Sequence, residues 1–552
     1  MTPDTPKTSG SKKLAWPQVV AGLLILAYAV TFAHFGIERY RATFSHDWRD
    51  EALNNQMFYN TAKGDPLYST VKGPQRHHRH FRPIFVPASL PYVIVHDARA
   101  WFAAVALLMA LGGVAAFRLG KKLLGEDIHG LAACAAWLIW PATIEVTMGN
   151  LDPETFVAVF WLFAILFYVE NRFAGWLAFA ILALACKETQ APVLAAFGLV
   201  ALADRKPWRW GVTALALGVA WFVVALKVVI PMYAPDFGTI YNRFVGAEGV
   251  DFPLSVWVAL REHPKDTLAQ IFSREHVMLL EHGVRSLGYL SLLSPVALLG
   301  TGTIALQILL QNEPLPVRQT HMLAALLPFT FWAALRGAAW LSANIAKLRV
   351  VGTRRQKDAA LGLVGVMIAA SIVFHIGPQS LFGKYQNYGH DRFERYGDAT
   401  HVLAKSFRTP TPAERDAVQA LDAIDQDAFV IANSRLLLLL SNRRRLGEFG
   451  NQIDLNGFDE AQYVALWFLE AECRTCTYAR LSPESLDLAA DLVTSGRFTA
   501  THATDAFALL TAVRESAMRD TPENQRYLAR LADLKGRLER DEGLPPDIPD
   551  GV

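Results

Sequence analysis

A polar loop with ionisable side chains follows the first apolar segment of the chain. Asp50 and Glu51 stand near its start, and residues 77–82 contain three histidines, among them His80, and two arginines. A loop carboxylate can act as a general base that takes the proton of an acceptor hydroxyl. A guanidinium such as that of Arg82 binds phosphate through its planar fork. The mixture therefore suits chemistry on a polar group that a lipid delivers.

Two further charged motifs interrupt the apolar part of the chain, Asp152-Pro153-Glu154 and Lys187-Glu188. Ionisable residues at membrane depth or at the mouth of a bundle are functional candidates, because burying them unpaired costs several kcal/mol. Asp before Pro is also a common start of a helix, so capping is the alternative role of Asp152. Lys187 could hold a phosphate as a point charge, or it could form an ion pair with Glu188 or Asp152.

The same acids could hold a metal ion, because hard divalent cations such as Mg²⁺ or Mn²⁺ favour carboxylates. The candidates are Asp50, Asp152 and Glu154, whereas the histidine spacing in residues 77–80 matches no standard zinc site. The motif Cys473-Arg474-Thr475-Cys476 could be a redox pair, half of a metal site or a local structural disulfide. No cofactor is required by these patterns.

Membrane-spanning helices must position these residues. Hydrophobic residues make up 52% of the chain and charged residues only 19%, below the share of about a quarter in soluble domains. Apolar runs predict about eleven spans. They lie near residues 16–35, 100–117, 130–148, 155–169, 173–186, 190–203, 211–230, 280–294, 296–311, 321–338 and 359–376. The net charge of +2 gives no basic footprint for nucleic acid.

The distribution of Lys and Arg predicts the orientation. With a cytoplasmic N-terminus, the basic clusters near residues 12–13, 118–122, 172, 205–209 and 347–357 all fall inside. A single helix over residues 173–203 would bury Lys187 and Glu188, so we expect two short helices that meet at this pair. The candidate residues then lie at the external face of the membrane.

The chain divides into two predicted domains. Residues 1–376 form the transmembrane domain, with external loops at about 37–98 and 232–279. Residues 377–552 have the charge of a soluble domain and form an extracytoplasmic α/β domain. Its predicted strands are near 429–432, 463–468 and 506–510, and its predicted helices are near 412–423, 481–495 and 520–541.

Several motifs in order resemble the bacterial predicted membrane proteins of domain of unknown function family 2079. They are Asp50…Gln56-x-x-Tyr59-Asn60-Thr61-Ala62-x-Gly64, His80-Phe81-x-Pro83-Ile84, Asp152-Pro153-Glu154, Lys187-Glu188, Tyr241-Asn242-Arg243-Phe244 and His321…Leu326-Leu327-Pro328-Phe329. That family is similar to the GT-C glycosyltransferases, which implies an α-helical polytopic membrane protein with a C-terminal extracytoplasmic domain. The family pattern more usually has Asp where this chain has Asn55.

The resemblance implies transfer of a sugar from a polyprenyl-phosphate carrier to an acceptor hydroxyl of a glycan, lipid or protein, at the outer face of a bacterial inner (plasma) membrane. Asp50, supported by Glu51, takes the place of the base, and the transfer inverts the anomeric centre. Lys187, Arg243 and His321 are expected to stabilise the phosphate, and His80, Arg82, Asp152, Glu154 and Glu188 are expected to line the binding site. The alternatives are a transporter or flippase of a lipid-linked or anionic substrate, and a non-catalytic membrane assembly protein.

Overall fold

The computed structural model describes thirteen stretches of the chain. They are residues 15–41, 49–73, 75–76, 80–149, 151–233, 254–271, 284–299, 324–347, 353–376, 410–449, 460–468, 483–513 and 519–539. Every structural statement below concerns these residues.

Helices dominate the first part of the chain. In chain order they are α1 (Trp16–Arg41), α2 (Arg49–Ala62), α3 (Phe85–Ala88), α4 (Arg99–Leu124), α5 (Asp127–Ile139), α6 (Pro141–Thr147), α7 (Val157–Val169), α8 (Phe173–Cys186), α9 (Gln190–Ala203), α10 (Trp208–Val224), α11 (Ile230–Tyr233), α12 (Leu254–Glu262), α13 (Pro264–Ile271), α14 (Leu326–Lys347) and α15 (Thr353–Ile376). Short 3₁₀ turns lie at Leu90–Val93, Pro153–Phe156 and Leu290–Leu293, and a π-helical turn at Ala225–Val229 joins α10 to α11. A two-stranded ribbon pairs β1 (Tyr68–Ser69) with β2 (Gln75–Arg76).

Four helical segments are long and apolar enough to cross a membrane: Trp16–Glu38, Arg99–Leu124, Trp208–Tyr233 and Gln356–Val373. Helices α5 and α6 make a fifth if they are one span, bent by 53° where Pro141 begins the second helix. The segments Pro153–Val169, Phe173–Cys186 and Gln190–Ala203 are apolar but shorter. The predicted total of about eleven spans is therefore not confirmed for the described residues.

The break that the sequence predicts in the apolar stretch 173–203 is confirmed. Helix α8 ends at Cys186, Lys187 has extended backbone angles, and α9 begins at Gln190. The charged pair thus sits in a loop between two short helices instead of inside one long helix.

The C-terminal part folds around one mixed five-stranded sheet with strand order β4-β3-β5-β7-β6. Its strands are β3 (Val430–Ala432), β4 (Leu446–Glu448), β5 (Tyr463–Trp467), β6 (Phe498–Ala503) and β7 (Phe507–Ala512). Its helices are α16 (Pro412–Asp422), α17 (Ser434–Leu440), α18 (Pro483–Thr494) and α19 (Pro522–Glu539). Strands β4, β3 and β5 are parallel, and β5, β7 and β6 are antiparallel. The predicted α/β character is present, whereas the boundary near residue 377 lies outside the described residues.

The two faces of this sheet pack on different cores. Alternate residues of β5 point to opposite sides, as the pleat of a strand requires. Val464 and Leu466 pack into a local core with α18 and α19. Ala465 and Trp467 belong instead to the continuous apolar core that includes the helices of the first part of the chain. The C-terminal unit is therefore built against the rest of the chain.

Candidate functional site

Asp50 and Glu51 occupy the first turn of α2, where the helix dipole favours acidic side chains. Their environments differ. The Asp50 side chain is 72% exposed, and its Oδ1 accepts a bond of 2.6 Å from Lys72 Nζ. Glu51 is 7% exposed. Two neighbouring carboxylates thus face different surroundings, one open to solvent and one within the protein.

Six of the candidate residues meet in a buried group, here called the charged cluster: His80, Arg82, Asp152, Glu154, Lys187 and Glu188. They pair across three segments that are far apart in sequence. Arg82 Nη1 lies 3.0 Å from Asp152 Oδ2, and Lys187 Nζ lies 2.7 Å from Glu154 Oε2. His80 Nδ1 lies 2.7 Å from Glu188 Oε1. Two buried carboxylates are each paired with a cation and the third contacts a histidine ring, so every buried acid has a partner, as buried ions need.

Local structure explains why these side chains converge. Asp152 has extended backbone angles and its Oδ1 accepts a 2.8 Å bond from the Glu154 backbone N–H, so it caps the turn that Pro153 begins. The predicted capping role is therefore present, and the other carboxylate oxygen faces Arg82. The polar loop crosses the end of α8, where the Ile84 N–H donates to the Ala185 carbonyl at 3.0 Å.

The pair of His80 and Glu188 lies in loops outside the apolar helices, and its charges can be assigned. Burial alone would raise the pKa of Glu188, but His80, through its charge and hydrogen bond, and Lys187 lower it to about 2. Burial, together with Arg82 and Lys187, lowers the pKa of His80 below its ordinary value, against the opposing effect of Glu188. An ionised Glu188 has no proton to share, so Nδ1 of a neutral His80 carries the proton and donates. The Phe81 N–H donates to the other Glu188 oxygen at 3.1 Å.

The Nε–H group of Arg82 has no hydrogen-bond partner among the described residues. Its burial is offset by Asp152, Glu154 and Glu188, which together raise its pKa above the ordinary value. One Nη atom contacts Asp152, whereas the buried Nε–H has no hydrogen-bond partner among the described residues. A guanidinium with one edge on a carboxylate and another donor unused can bind an anionic group.

Three consecutive amides of α2, whose contacts the sequence did not predict, connect Asp50 and Glu51 to the rest of the site. Asn54 Nδ2 donates to the Leu151 carbonyl at 2.8 Å and lies 3.5 Å from Asp152 Oδ2. Asn55 and Gln56 contact the C-terminal unit. In the sequence, the run Asn54-Asn55-Gln56 is the feature that could have pointed to these contacts. In the structure, all three side chains are 4% exposed or less. Buried amides must be hydrogen-bonded, so they mark a packed helix face.

The C-terminal unit is docked on α2 and on residues 67–73. Gln56 Nε2 donates to the Arg443 carbonyl at 3.0 Å, and the Glu448 N–H donates to the Val71 carbonyl at 3.1 Å. Arg49 Nε lies 2.8 Å from Glu448 Oε2. The turn that begins α2, and with it Asp50, is therefore held from the C-terminal side.

Other predicted residues fall elsewhere. Arg243 and His321, the histidines at 77 and 78, and Cys473 and Cys476 lie outside the described residues. Within the described stretches, no three His, Cys, Asp or Glu side chains come together as a metal site. Asp152 and Glu154 are engaged by Arg82 and Lys187, so they do not fit a metal ion as they stand. A divalent cation stays a sequence prediction, and no step below passes through one.

Comparisons with known proteins identify the family of this chain and a solved structure with a similar fold. The family model described as "Predicted membrane protein (DUF2079)" matches residues 50–505. The crystal structure of ArnT from Cupriavidus metallidurans bound to undecaprenyl phosphate has 13% identity and a TM-score of 0.50, covering 92% of this chain and all of that one. An Archaeoglobus fulgidus oligosaccharyltransferase has 11% identity and a TM-score of 0.39, covering 92% and 76%. A search of curated proteins finds no match. The predicted resemblance to this family is confirmed.

Proposed function

Because the chain belongs to the DUF2079 family of predicted membrane proteins, with a fold that resembles ArnT, we propose that it is a membrane glycosyltransferase. The donor is a sugar on a polyprenyl phosphate, and the acceptor is a hydroxyl at the extracytoplasmic face. The observation that carries the proposal is the position of Asp50. It is an exposed carboxylate on a helix that Asn54 ties to a buried charged cluster beside apolar helices.

The donor class rests on the fold and on chemistry. The structural neighbour ArnT was crystallised with undecaprenyl phosphate, which is a polyprenyl phosphate. A carrier of this kind needs apolar helices for its chain and donors for its phosphate at the same membrane face. This chain offers both, with apolar helices α8 and α10 and with Arg82 in the adjoining loop.

In the proposed step, Asp50 removes the proton of the acceptor hydroxyl while that oxygen attacks the anomeric carbon of the sugar. The bond from this carbon to the phosphate oxygen breaks, and polyprenyl phosphate leaves with the electron pair. Attack and departure on opposite faces of the sugar invert the anomeric centre. Lys72 Nζ donates to Asp50 Oδ1 at 2.6 Å and so helps to hold the carboxylate in position.

Within the site, we assign the leaving phosphate to the guanidinium of Arg82, whose Nη1 is paired with Asp152. Charge-assisted hydrogen bonds are roughly twice as strong as neutral ones. Lys187 forms an ion pair with Glu154, and its side chain is only 7% exposed. We therefore propose that Lys187 holds the charged cluster in place and does not itself contact the phosphate. Arg243 and His321 keep the phosphate-binding roles proposed from the sequence.

The experiment compares a deletion strain with strains that carry single substitutions, by mass spectrometry of lipid-linked and surface glycans. Deletion should remove one sugar from a glycan and cause the charged lipid carrier to accumulate. Asp50→Asn should reduce transfer by about a hundred- to ten-thousandfold, the usual contribution of a general base. Glu51→Gln should reduce it less, because its carboxylate is buried in the protein.

Glu460→Gln is the matched control. Glu460 is also an exposed carboxylate in an ion pair, with a side chain 71% exposed beside Arg445, but it lies in the C-terminal unit. It should leave the glycans unchanged. Full activity of Asp50→Asn with complete loss in Asp152→Asn would show that the base is misassigned. Lipid-linked sugars trapped on the cytoplasmic side would favour a flippase instead, and unchanged glycans on deletion would favour an assembly protein.

A further inference from the structure

Two helix turns lie against each other at the ends of α8 and α9 opposite to the Lys187-Glu188 loop of the charged cluster. One joins α7 to α8 and the other joins α9 to α10. Lys206 Nζ, in the second turn, donates to the Tyr168 carbonyl at 2.9 Å and to the Asn171 side chain in the first turn. Lys206 also lies over the Tyr168 ring, 4.5 Å from its centroid. The basic residues of the two turns therefore belong to one surface.

Two arginines of this surface lie over aromatic rings that hold their charges at the protein edge. The Arg172 guanidinium lies 5.1 Å from the centre of the Phe167 ring, and the Arg209 guanidinium lies 5.2 Å from that of Phe173. Stacking of this kind orients a guanidinium and leaves its N–H groups free to bind an anion. Both arginines are exposed, and the Arg172 side chain is 60% exposed.

The surface has more cations than its own carboxylates can neutralise. The two turns and their ion-pair partners carry two carboxylates, Glu170 and Asp204, and six cationic residues, Arg118, Arg172, Arg205, Lys206, Arg209 and Arg336. Those carboxylates are shared among several cations, because Glu170 is 2.7 Å from Arg118 and 3.9 Å from Arg172, and Asp204 is 3.5 Å from Arg336. Among the residues that the structure describes, Arg205 and Arg209 have no carboxylate within ion-pair distance.

The depth of this surface in the membrane follows from α10. The candidate span Trp208–Tyr233 begins at Trp208, so Trp208 and Arg209 lie at the boundary of the apolar layer. Trp208 is 73% exposed, as expected for a tryptophan that lies among lipid headgroups. The charges are thus at the depth where the phosphates of phospholipids lie.

We propose that Arg172, Arg205 and Arg209, with Trp208, form a binding site for the headgroup of an anionic phospholipid; we call these four residues the arginine patch. The guanidiniums bind the phosphate diester and the indole packs against the glycerol and upper acyl region. A zwitterionic lipid has a cationic group that this surface repels, so the site selects phosphatidylglycerol or cardiolipin over phosphatidylcholine. The inference is independent of the proposed sugar transfer.

The test uses the full-length protein in phosphatidylcholine nanodiscs that contain a few per cent of phosphatidylglycerol or cardiolipin. Bound lipid is counted by native mass spectrometry after release from the disc. Arg172→Gln with Arg209→Gln should weaken retention of the anionic lipid on the order of thirtyfold, since each cation contributes about fivefold. Inorganic phosphate at millimolar concentration should not displace the lipid, because it lacks the glycerol and acyl contacts.

Lys121→Gln with Lys122→Gln is the matched control, since it removes two cations from the end of α4 and leaves the arginine patch intact. Retention within about threefold of the wild type is expected. Equal losses in both double variants, or equal retention of phosphatidylcholine, would overturn the proposal. Thermal unfolding in pure phosphatidylcholine discs should be the same for all three proteins, because the substituted side chains are at the surface. If the double variant Arg172→Gln with Arg209→Gln is less stable in pure phosphatidylcholine discs, the two single variants are tested instead. Each must lose anionic lipid selectively, or the proposal fails.

Discussion

Asn55 of α2 and Ser441 of the C-terminal unit are joined by a buried hydrogen bond of 2.7 Å from Asn55 Nδ2 to Ser441 Oγ. The Tyr92 hydroxyl donates to Asn55 Oδ1 at 2.6 Å, and Ser441 donates onward to the Leu438 carbonyl at 2.7 Å. Both groups of the amide are therefore used, and neither Asn55 nor Ser441 is exposed. An amide serves here because it donates on one side and accepts on the other.

Asn55→Leu should lower the free energy of unfolding by about 1–3 kcal/mol. The substitution keeps the side-chain volume but leaves the buried Tyr92 hydroxyl without its acceptor, and an unsatisfied buried group costs about that much. Thermal unfolding in detergent measures the change. Asn344→Leu is the control, because Asn344 bonds only within its own helix, to the Trp340 carbonyl and to Lys347 Nζ, at a half-buried position. Equal effects of the two substitutions would show that the network contributes nothing.

The ion pair of Lys187 and Glu154 gives a second stability prediction. Lys187→Met should destabilise the protein by about 3–5 kcal/mol, because it leaves a buried carboxylate without its cation. The double variant with Glu154→Gln should recover most of this loss, since no uncompensated charge remains. The measurement is a double-mutant cycle of unfolding temperatures. If the double variant is no better than Lys187→Met, the pair is not coupled as the geometry requires.

Sequence reasoning located these two residues but could not pair them. Lys187 was expected to interrupt an apolar stretch because one charge inside a long helix is unfavourable, and the break at that residue needs no tertiary information. Its partner is 33 residues away, and the sequence suggested Glu188 or Asp152 instead of Glu154. The choice among three nearby acids depends on how α7 and α8 pack, which no local pattern specifies.

The docking of the C-terminal unit was also beyond the sequence. Its strands and helices follow from alternation and amphipathic patterns, and the α/β character was predicted. When both faces of a sheet are apolar, the sequence does not indicate which element packs on which face. Trp467 on one side packs into the core shared with α2, whereas Leu466 on the other packs against α18 and α19. The amides of α2 are the sequence feature related to this docking. Asn54, Asn55 and Gln56 are buried, so their side chains need hydrogen-bond partners from other segments.

The pair of His80 and Glu188 predicts a loss of stability in acid. The pKa of Glu188 in the folded protein is about 2, below its ordinary value of 4.5, so its contribution is present above pH 4.5 and is lost as the pH falls towards 2. The pKa of His80 is lowered from 6.5, so the fold favours the neutral ring. This second contribution is present above pH 6.5 and is lost below it. The unfolding temperature should therefore be level above about pH 7 and fall on acidification.

His80→Asn separates the histidine from the other titrating groups. The asparagine amide can replace the Nδ1–H donor to Glu188 but does not titrate. The variant should match the wild type at pH 7.5 and lose less stability between pH 6.5 and 5, as followed by thermal unfolding. An unchanged pH profile would show that His80 does not contribute to the acid sensitivity.

The orientation predicted from the sequence can be tested with single cysteines in a chain whose four native cysteines are replaced. Lys63→Cys and Glu484→Cys should react with a membrane-impermeant maleimide in intact spheroplasts, and Arg205→Cys only after lysis. All three positions are exposed, whereas Lys187 is 5% exposed and would report poorly. Lys63 and Glu484 must agree, because the C-terminal unit is hydrogen-bonded to residues 67–73. The reverse labelling pattern would place the candidate site on the cytoplasmic side.

Gly337 tests the packing of α14 against the turn at Leu290–Leu293. A Cβ atom at Gly337 would lie 2.1 Å from the Leu290 carbonyl oxygen, far inside contact distance. Alanine is a better helix former than glycine by about 1 kcal/mol, so helix propensity alone predicts that Gly337→Ala stabilises. The clash should reverse the sign and destabilise the protein by about 1–3 kcal/mol, because the obstacle is backbone and cannot rotate away. Gly362→Ala in α15 is the matched control, since nothing lies within 4 Å of the added Cβ. Thermal unfolding of both variants decides the matter: a stabilised Gly337→Ala would mean that α14 does not pack this closely.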